Sequence, residues 1–561
     1  MGYARLAFAS RVQAGVLLLS LVVAADPGVG GGALEESGRA LYEEGKLPDG
    51  SALRALRPEG FELVGEQAAC VTCHRESGMG AVEGTTDSAV LVPPVAGPVL
   101  FSPARFHQAY LDPLHHWVPN PAWERALTRD AYDDTTLARS LRDGVDPDGR
   151  RLVAPMPRYA LDDRAIAALA AYLRRLSANP SPGVDAQALH LATVVAPDAP
   201  ADQVPAVLGV LRAWAAASRT FDRDWTLQVW ELSGPPTGWE AQLEARYRER
   251  PVFALLSGVG GAEWGPVQHF CEANRVPCIL PVLEAAPAEE PGYYSMYFSP
   301  GVSLEARLLA AHLTADSQGV EGRGTEVLQL FADASGRRAT EALTAALAAG
   351  RIATKARRFR LTAPTAGLDE LGEGTPLVLW LRPDAMAQLA AASPEPPGKG
   401  PIYLSALLAS PGSVVLPPAW KARVTYVSLF DDLGMQGEIA RLRLKRWLDQ
   451  QGLSRSEDLR PQADAYAACY VLSKALGEIR RQEVRRPKVP LSREHVLETL
   501  ETLVNKYADG TAQIDPDSHI ALYGRMSLGP RQRTAVRGGV LLRYASAHSA
   551  RLEAASDRIV P

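Results

Sequence analysis

The hydrophobic pattern changes rhythm partway along the chain. From Ser37 to Ala178 apolar residues come in short runs among many Pro, Gly and Asp, and little alternates as a strand would. This stretch predicts short helices at Ser37–Glu44, Ala104–Leu111, Asp134–Asp143 and Asp163–Leu176. The last is clearest: Ile166, Leu169, Ala170, Leu173 and Leu176 follow i, i+3, i+4, i+7 spacing behind Asp162 or Asp163 as a cap. Asn179-Pro-Ser-Pro-Gly183 then breaks the chain, so residues 179–187 read as a linker. From Leu189 strands and helices alternate. Strands are expected at Leu189–Ala196, Leu227–Leu232, Val252–Leu256, Cys278–Val282, Glu326–Phe331, Leu377–Leu381, Ile402–Leu404 and Val424–Ser428. Helices fall between them, and three more follow: Glu438–Gln450, Pro461–Glu478 and Arg493–Leu503. Two strand-like pieces, Arg525–Leu528 and Val540–Ala545, come last. Alternation over roughly 360 residues predicts a doubly wound α/β architecture, too long for one sheet and therefore two-lobed.

The N-terminus carries only Arg5 and Arg11 as charges, then an apolar run from Val12 to Ala25 that ends Val23-Ala24-Ala25. A basic start, a short apolar core and small residues at its end form the secretory pattern. The run is shorter than the roughly 20 apolar residues a spanning helix needs, and no Cys follows it for a lipid anchor. The expectation is a signal peptide over residues 1–25 and a soluble periplasmic protein with no membrane span. In that compartment disulfides can form. Residues 26–32 are Gly-rich and read as a flexible lead-in.

At 47% apolar and 22% charged residues the chain has an ordinary globular composition. Its net charge of −5 becomes −7 once Arg5 and Arg11 are cleaved off. There is no basic surplus for nucleic acid. Five cysteines are too few for a disulfide scaffold.

Their placement carries the chemistry. Cys70-Val71-Thr72-Cys73-His74 is the Cys-x-x-Cys-His attachment signature for c-type haem. Two thiols add to the haem vinyl groups, and the spacing keeps both sulfurs and the His74 imidazole on one helical turn. A redox dithiol would sit in a βαβ context, and a zinc site would need further ligands nearby; neither is present around residue 70. A haem that carries electrons needs a sixth ligand, often Met. Met156, in Val153-Ala-Pro-Met-Pro-Arg-Tyr159, is the candidate, because prolines on both sides stiffen its backbone. Met79, His107, His115 and His116 are the rivals.

Together, Cys70–His74, the run Val92-Pro-Pro-Val-Ala-Gly-Pro98, the Met156 loop and the closing helix resemble a monohaem class I cytochrome c, over about Ser37 to Leu176. The resemblance implies a mostly α domain, residues 26–178, with one covalent haem c. Cys70, Cys73, His74 and Met156 hold the cofactor, and His74 and Met156 ligate its iron. It also implies a Pro carbonyl on the proximal His, which Pro93 or Pro94 could supply.

Residues 188–561 resemble a type I periplasmic binding protein of the leucine/isoleucine/valine-binding kind. The matching pieces are Val252–Gly261, His269–Cys278, Tyr294–Ser299 with Leu304–Leu313, Phe331–Gly336 and Asp464–Ala475. That resemblance implies two α/β lobes with a small ligand bound between them through hydroxyls and backbone N–H groups. Gly258-Val-Gly-Gly-Ala-Glu-Trp264 departs from it, with no hydroxyl after Ser257 and with Glu263 and Trp264 added. An inward-facing acid would repel an α-carboxylate. Cys271 and Cys278, at a helix end and the next strand's start, are expected to pair as a disulfide. Cys469, on an apolar helical face, is expected to be a buried thiol.

The expected function is one-electron transfer through a single haem, without enzymatic activity. The second module would bind a small ligand or dock a redox partner such as a periplasmic dehydrogenase or another cytochrome. The alternative is a ligand-binding or sensing protein in which the haem is regulatory. A haem peroxidase is disfavoured because both axial positions would be filled.

Overall fold

The computed structural model describes residues 27–83, 90–105, 128–152, 154–318, 326–368, 371–430, 433–483, 488–508, 522–523 and 526–561. The expected signal peptide and His107, His115 and His116 lie outside them. The chain divides into two compact units: Met1–Thr72 with Tyr132–Arg174, and Cys73–Ala131 with Arg175–Pro561.

In the first unit, helix Pro27–Arg39 runs into a wide helical turn, Ala40–Glu44. The lead-in expected over residues 26–32 is therefore helical from Pro27, a residue well suited to a first helical turn. Gly38 is where glycine is required: a Cβ there would lie 2.0 Å from the carbonyl oxygen of Ala168. The backbone thus meets helix Asp163–Arg175 closely enough to exclude any side chain. That helix buries Ile166, Leu169, Ala170 and Leu173, the stripe its periodicity predicts. Helix Asp134–Asp143 falls on its expected span because Asp133 and Thr136 form a reciprocal capping box, while Gly144 ends it at φ 70°. A small antiparallel sheet pairs Arg54–Leu56 with Glu62–Val64 and Arg158–Tyr159.

Among the described residues, the second unit holds two large sheets and two small antiparallel ones, Ala81–Glu83 with Val90–Val92 and Ala104–Arg105 with Thr128–Arg129. The first large sheet has the strand order Val282–Leu283, Val259–Gly260, Ala188–Val195, Ala254–Leu256, Cys278–Ile279, Ser295–Met296, all parallel. Arg223–Glu231 also runs parallel to Ala188–Val195, and Arg219–Thr220 lies antiparallel to it. The second sheet orders Thr354–Arg358, Val327–Phe331, Leu377–Trp380, Ile402–Ser405 and Val424–Ser428 in parallel, then Val540–Tyr544 and Leu552–Ala554 antiparallel. Strands such as Leu377–Trp380 and Ile402–Ser405 are buried along their whole length, as parallel strands covered by helices on both faces must be. Two mostly parallel sheets bear out the two-lobed α/β expectation.

Four details differ from the sequence reading. The expected strand Cys278–Val282 is two short strands, Cys278–Ile279 and Val282–Leu283, broken at Leu280, whose φ is 49°. Ala104–Arg105 is not the start of a helix but pairs with Thr128–Arg129 as strands. Residues 526–528 make no strand, being held instead by Asn505, which bonds both the N–H and the carbonyl of Leu528. The expected Cys271–Cys278 disulfide is not formed. Both residues are buried thiols, near enough to hydrogen-bond, with burial pushing the Cys271 thiol well up. The turn between them, with Arg275 at φ 52°, brings helix end and strand start to hydrogen-bonding rather than bonding distance. Cys469 is a buried thiol, as expected.

Candidate functional site

The haem motif is built on one short helix. Cys70, buried, precedes helix Val71–His74, on which Cys73 is half-buried and His74 buried. Thr72 Oγ1 donates to the carbonyl of Glu66 at 3.2 Å, and the Tyr159 hydroxyl donates to that of Ala68 at 3.2 Å, fixing the approach to Cys70. His74 Nδ1 lies 3.0 Å from the carbonyl oxygen of Pro93. A carbonyl only accepts, so Nδ1 carries the proton and the lone pair is left on Nε2. This chooses Pro93 between the two prolines left open by the sequence. Burial pushes the His74 pKa down to about 4, against the Pro93 hydrogen bond, so the imidazole is neutral at neutral pH. A neutral, oriented imidazole directly after two cysteines three residues apart is the donor set that a c-type haem requires, and these residues fit it.

Arg75 follows at φ 67°, a left-handed conformation that ends the helix. The chain then turns so that Gly80 N–H donates to His74 O at 3.1 Å. Met79, a rival sixth ligand, is buried against Ala96, Val99 and Val489. It is a core residue there. Met156 belongs to the first unit. It is half-buried between Pro155 and buried Pro157, and Arg158 Nη1 donates to its carbonyl at 2.9 Å.

The second cluster lies at the carboxyl ends of the parallel strands, where open α/β sheets place their binding crevices. Asp198, just past strand Ala188–Val195, turns one oxygen onto the loop expected to hold ligand. Its Oδ2 accepts from the N–H groups of Ala262 at 2.8 Å and Glu263 at 3.0 Å. Trp264 is buried with its indole over the glycines: a Cβ on Gly258 would lie 2.4 Å from it, and one on Gly260 2.7 Å. The glycines therefore make room for the chain's own indole. Two of the loop's main-chain donors, at Ala262 and Glu263, are spent on the chain's own carboxylate. Three buried atoms on Asp198 and this loop region, Asp198 Oδ1, Ser257 Oγ and Trp264 Nε1, have no protein partner.

Glu284, after strand Val282–Leu283, is buried and joins the lobes. Arg382 donates to both its oxygens, at 2.6 and 2.7 Å, and Ser335 Oγ donates at 2.6 Å. Arg382 Nε also reaches Asp333 at 2.6 Å. Sequence reading missed Asp198 and Glu284, since each meets its partners across 50 to 100 residues, beyond any local pattern.

Residues 59–177 match the family model described as cytochrome c. No curated protein matches the chain. Solved structures similar to it include a fatty acid ABC transporter substrate-binding protein from Thermomonospora curvata. That match has 14% identity and a TM-score of 0.49, over 68% of this chain and 95% of that one. A branched chain amino acid ABC transporter from Thermus thermophilus with bound valine matches at 13% identity and 0.48, over 67% and 97%. A leucine binding protein from Thermotoga maritima matches at 12% and 0.47, over 66% and 99%. The chain therefore carries a domain of the cytochrome c family over residues 59–177, ahead of a two-lobed α/β module.

Proposed function

We propose that the chain is an exported periplasmic electron carrier with a single haem c, bound through Cys70 and Cys73 and ligated by His74 and Met156. Its α/β module docks a redox partner such as a periplasmic dehydrogenase or another cytochrome. The observation that carries this reading is the buried His74 ring, held by the Pro93 carbonyl with its remaining nitrogen left as the donor. Haem c supplies a one-electron couple that the polypeptide lacks. Pro155 and Pro157 limit the conformations of Met156, and Arg158 holds its carbonyl, so the thioether is presented with little entropy to lose. Burial keeps water away from the His74 ring. If His74 and Met156 both bound the iron, no position would be left open for a substrate, and the chain would carry electrons without catalysing a reaction. The apolar run before Ala25 supports export.

The docking role is favoured over amino-acid capture because Asp198 already takes the N–H groups of Ala262 and Glu263. A ligand-sensing role has one observation in its favour: Asp198 Oδ1, Ser257 Oγ and Trp264 Nε1 are buried polar atoms that a small donor–acceptor ligand could serve. Such a ligand would meet Asp198 with an amine or hydroxyl, not a carboxylate. Calorimetric titration with amines and with amino acids separates the two.

The test of the carrier reading is the absorption spectrum of the reduced protein at neutral pH with and without carbon monoxide. A spectrum unchanged by carbon monoxide supports two protein ligands. A shift to a carbon monoxide complex overturns the reading in favour of an open, enzymatic haem.

A further inference from the structure

The segment that leaves His74 rests on the α/β module through a buried polar cluster that the electron-carrier reading does not use. Helix Arg493–Ala508 carries Glu494, Glu498 and Glu501 at i, i+4 and i+7, one acidic face. Like charges at these spacings destabilise a helix unless partners meet them. Here they are met. The buried Glu498 carboxylate accepts from Ser77 N–H at 2.9 Å, from the Ser77 hydroxyl and from the Tyr293 hydroxyl at 3.1 Å. Glu501 pairs with both Arg75 and Arg533, and Arg533 also donates to the Tyr293 carbonyl. Glu494 accepts from the Tyr294 hydroxyl at 2.8 Å. Ser77, fully buried, passes the support on: its Oγ lies 3.0 Å from Met79 N, and its carbonyl accepts from Ser177. Arg75 and Ser77 stand one and three residues beyond His74.

We propose that Glu498 is a positioning residue for the haem iron: it fixes the strap leaving His74 and places a buried carboxylate beside it, linking the redox balance to the α/β module. The proposal rests on the haem reading above. A carboxylate in a water-poor site stabilises the more positive, ferric state, and its protonation or removal favours the ferrous state. Burial pushes Glu498 up to about 7, opposed by the Ser77 hydrogen bonds and by Arg75. Its charge therefore changes near neutral pH. The groups facing it are Arg75 on the strap, Tyr293 from its loop, Glu501 on its own helix and Arg533 beside Glu501. Tyr293 is pushed well up by burial and stays neutral in this range.

The experiment is a redox titration of full-length holoprotein, wild type and Glu498→Gln, between pH 6 and 8. The wild-type potential should fall as pH rises and Glu498 ionises. At pH 8 the ferric-to-ferrous ratio at a fixed poise should drop about tenfold in Glu498→Gln, a rise of ~59 mV for one electron. The variant should also lose that part of the pH slope. An unchanged potential and slope in the variant overturn the proposal. If Glu498→Gln does not fold, Ser77→Ala decides. It keeps the carboxylate but removes a hydrogen bond that favours the charged form, so the inflection should move to higher pH; an unmoved inflection overturns the proposal. If the wild-type chain carries no covalent haem, the cytochrome reading and this proposal fall together. If haem is present and both variants behave as wild type, only the proposal falls.

Discussion

Replacing Asp198 by Ala tests whether the loop at Gly258–Trp264 is satisfied by the chain's own carboxylate. Asp198 Oδ2 holds two N–H groups just ahead of helix Gly265–Ala273. Loss of an acceptor that serves two part-buried N–H groups costs roughly 0.5–1.5 kcal/mol. The favourable charge at the helix start adds about 0.3–1 kcal/mol. Asp198 is half-buried, so water reaches part of the space it leaves, and the partnerless Asp198 Oδ1 is removed at the same time. The expected net loss is about 1–2 kcal/mol. At roughly 2–4 °C per kcal/mol for a domain of 150–250 residues, and less for a larger one, the module's melting temperature should fall by about 2–5 °C. Far-UV circular dichroism of the full chain reads this. Formate or glycine, compared with chloride at equal ionic strength, should restore part of the loss in Asp198→Ala and do nothing for wild type. No drop in melting temperature, or equal rescue of both proteins, would show that the loop does not depend on the Asp198 carboxylate.

Other outcomes follow from the same geometry. The Cys70→Ser/Cys73→Ser double variant should lose covalent haem, which denaturing electrophoresis with haem staining reads directly. Met156→Ala should lose the weak thioether–iron charge-transfer band at the red end of the ferric spectrum and have a lower potential, because a thioether favours the ferrous state. Glu305 is fully buried and its carboxyl is pushed up to about 8 by burial, against a hydrogen bond from Ser405. The native state then holds a proton that the unfolded chain releases, so stability should fall as pH rises from about 5 to about 8, and Glu305→Gln should flatten that slope in urea titrations. Gly38→Ala should destabilise the first unit by about 1–3 kcal/mol or more, since its Cβ would lie 2.0 Å from Ala168 O; an unchanged urea midpoint would show that the helix crossing yields.

How much of this was legible in the sequence varies with range. Helix Asp134–Asp143 and strand Val424–Ser428 fall on their expected bounds, because a capping box and a continuous apolar run are local signals. Strand Thr354–Arg358 is Thr-Lys-Ala-Arg-Arg, half exposed at a sheet edge, and carries no apolar alternation to read. The small sheet around Arg54–Leu56 was missed because three-residue strands leave too short a pattern. The haem motif was legible because its spacing is itself the chemistry. The choice of Pro93 over Pro94 was not, since adjacent residues differ only in where their carbonyls point. The acidic face Glu494–Glu498–Glu501 was visible in principle as like charges at helical spacing. Its partners Arg75 and Ser77 lie more than 400 residues away in sequence, and only the folded chain joins them.

The pyridine haemochrome spectrum of the purified full chain decides whether one haem is bound covalently at Cys70 and Cys73. One haem per chain is expected, with the α-band of a haem held by two thioethers, retained on the polypeptide after acid–acetone extraction. Haem that passes into the solvent, no haem at all, or more than one per chain would contradict it.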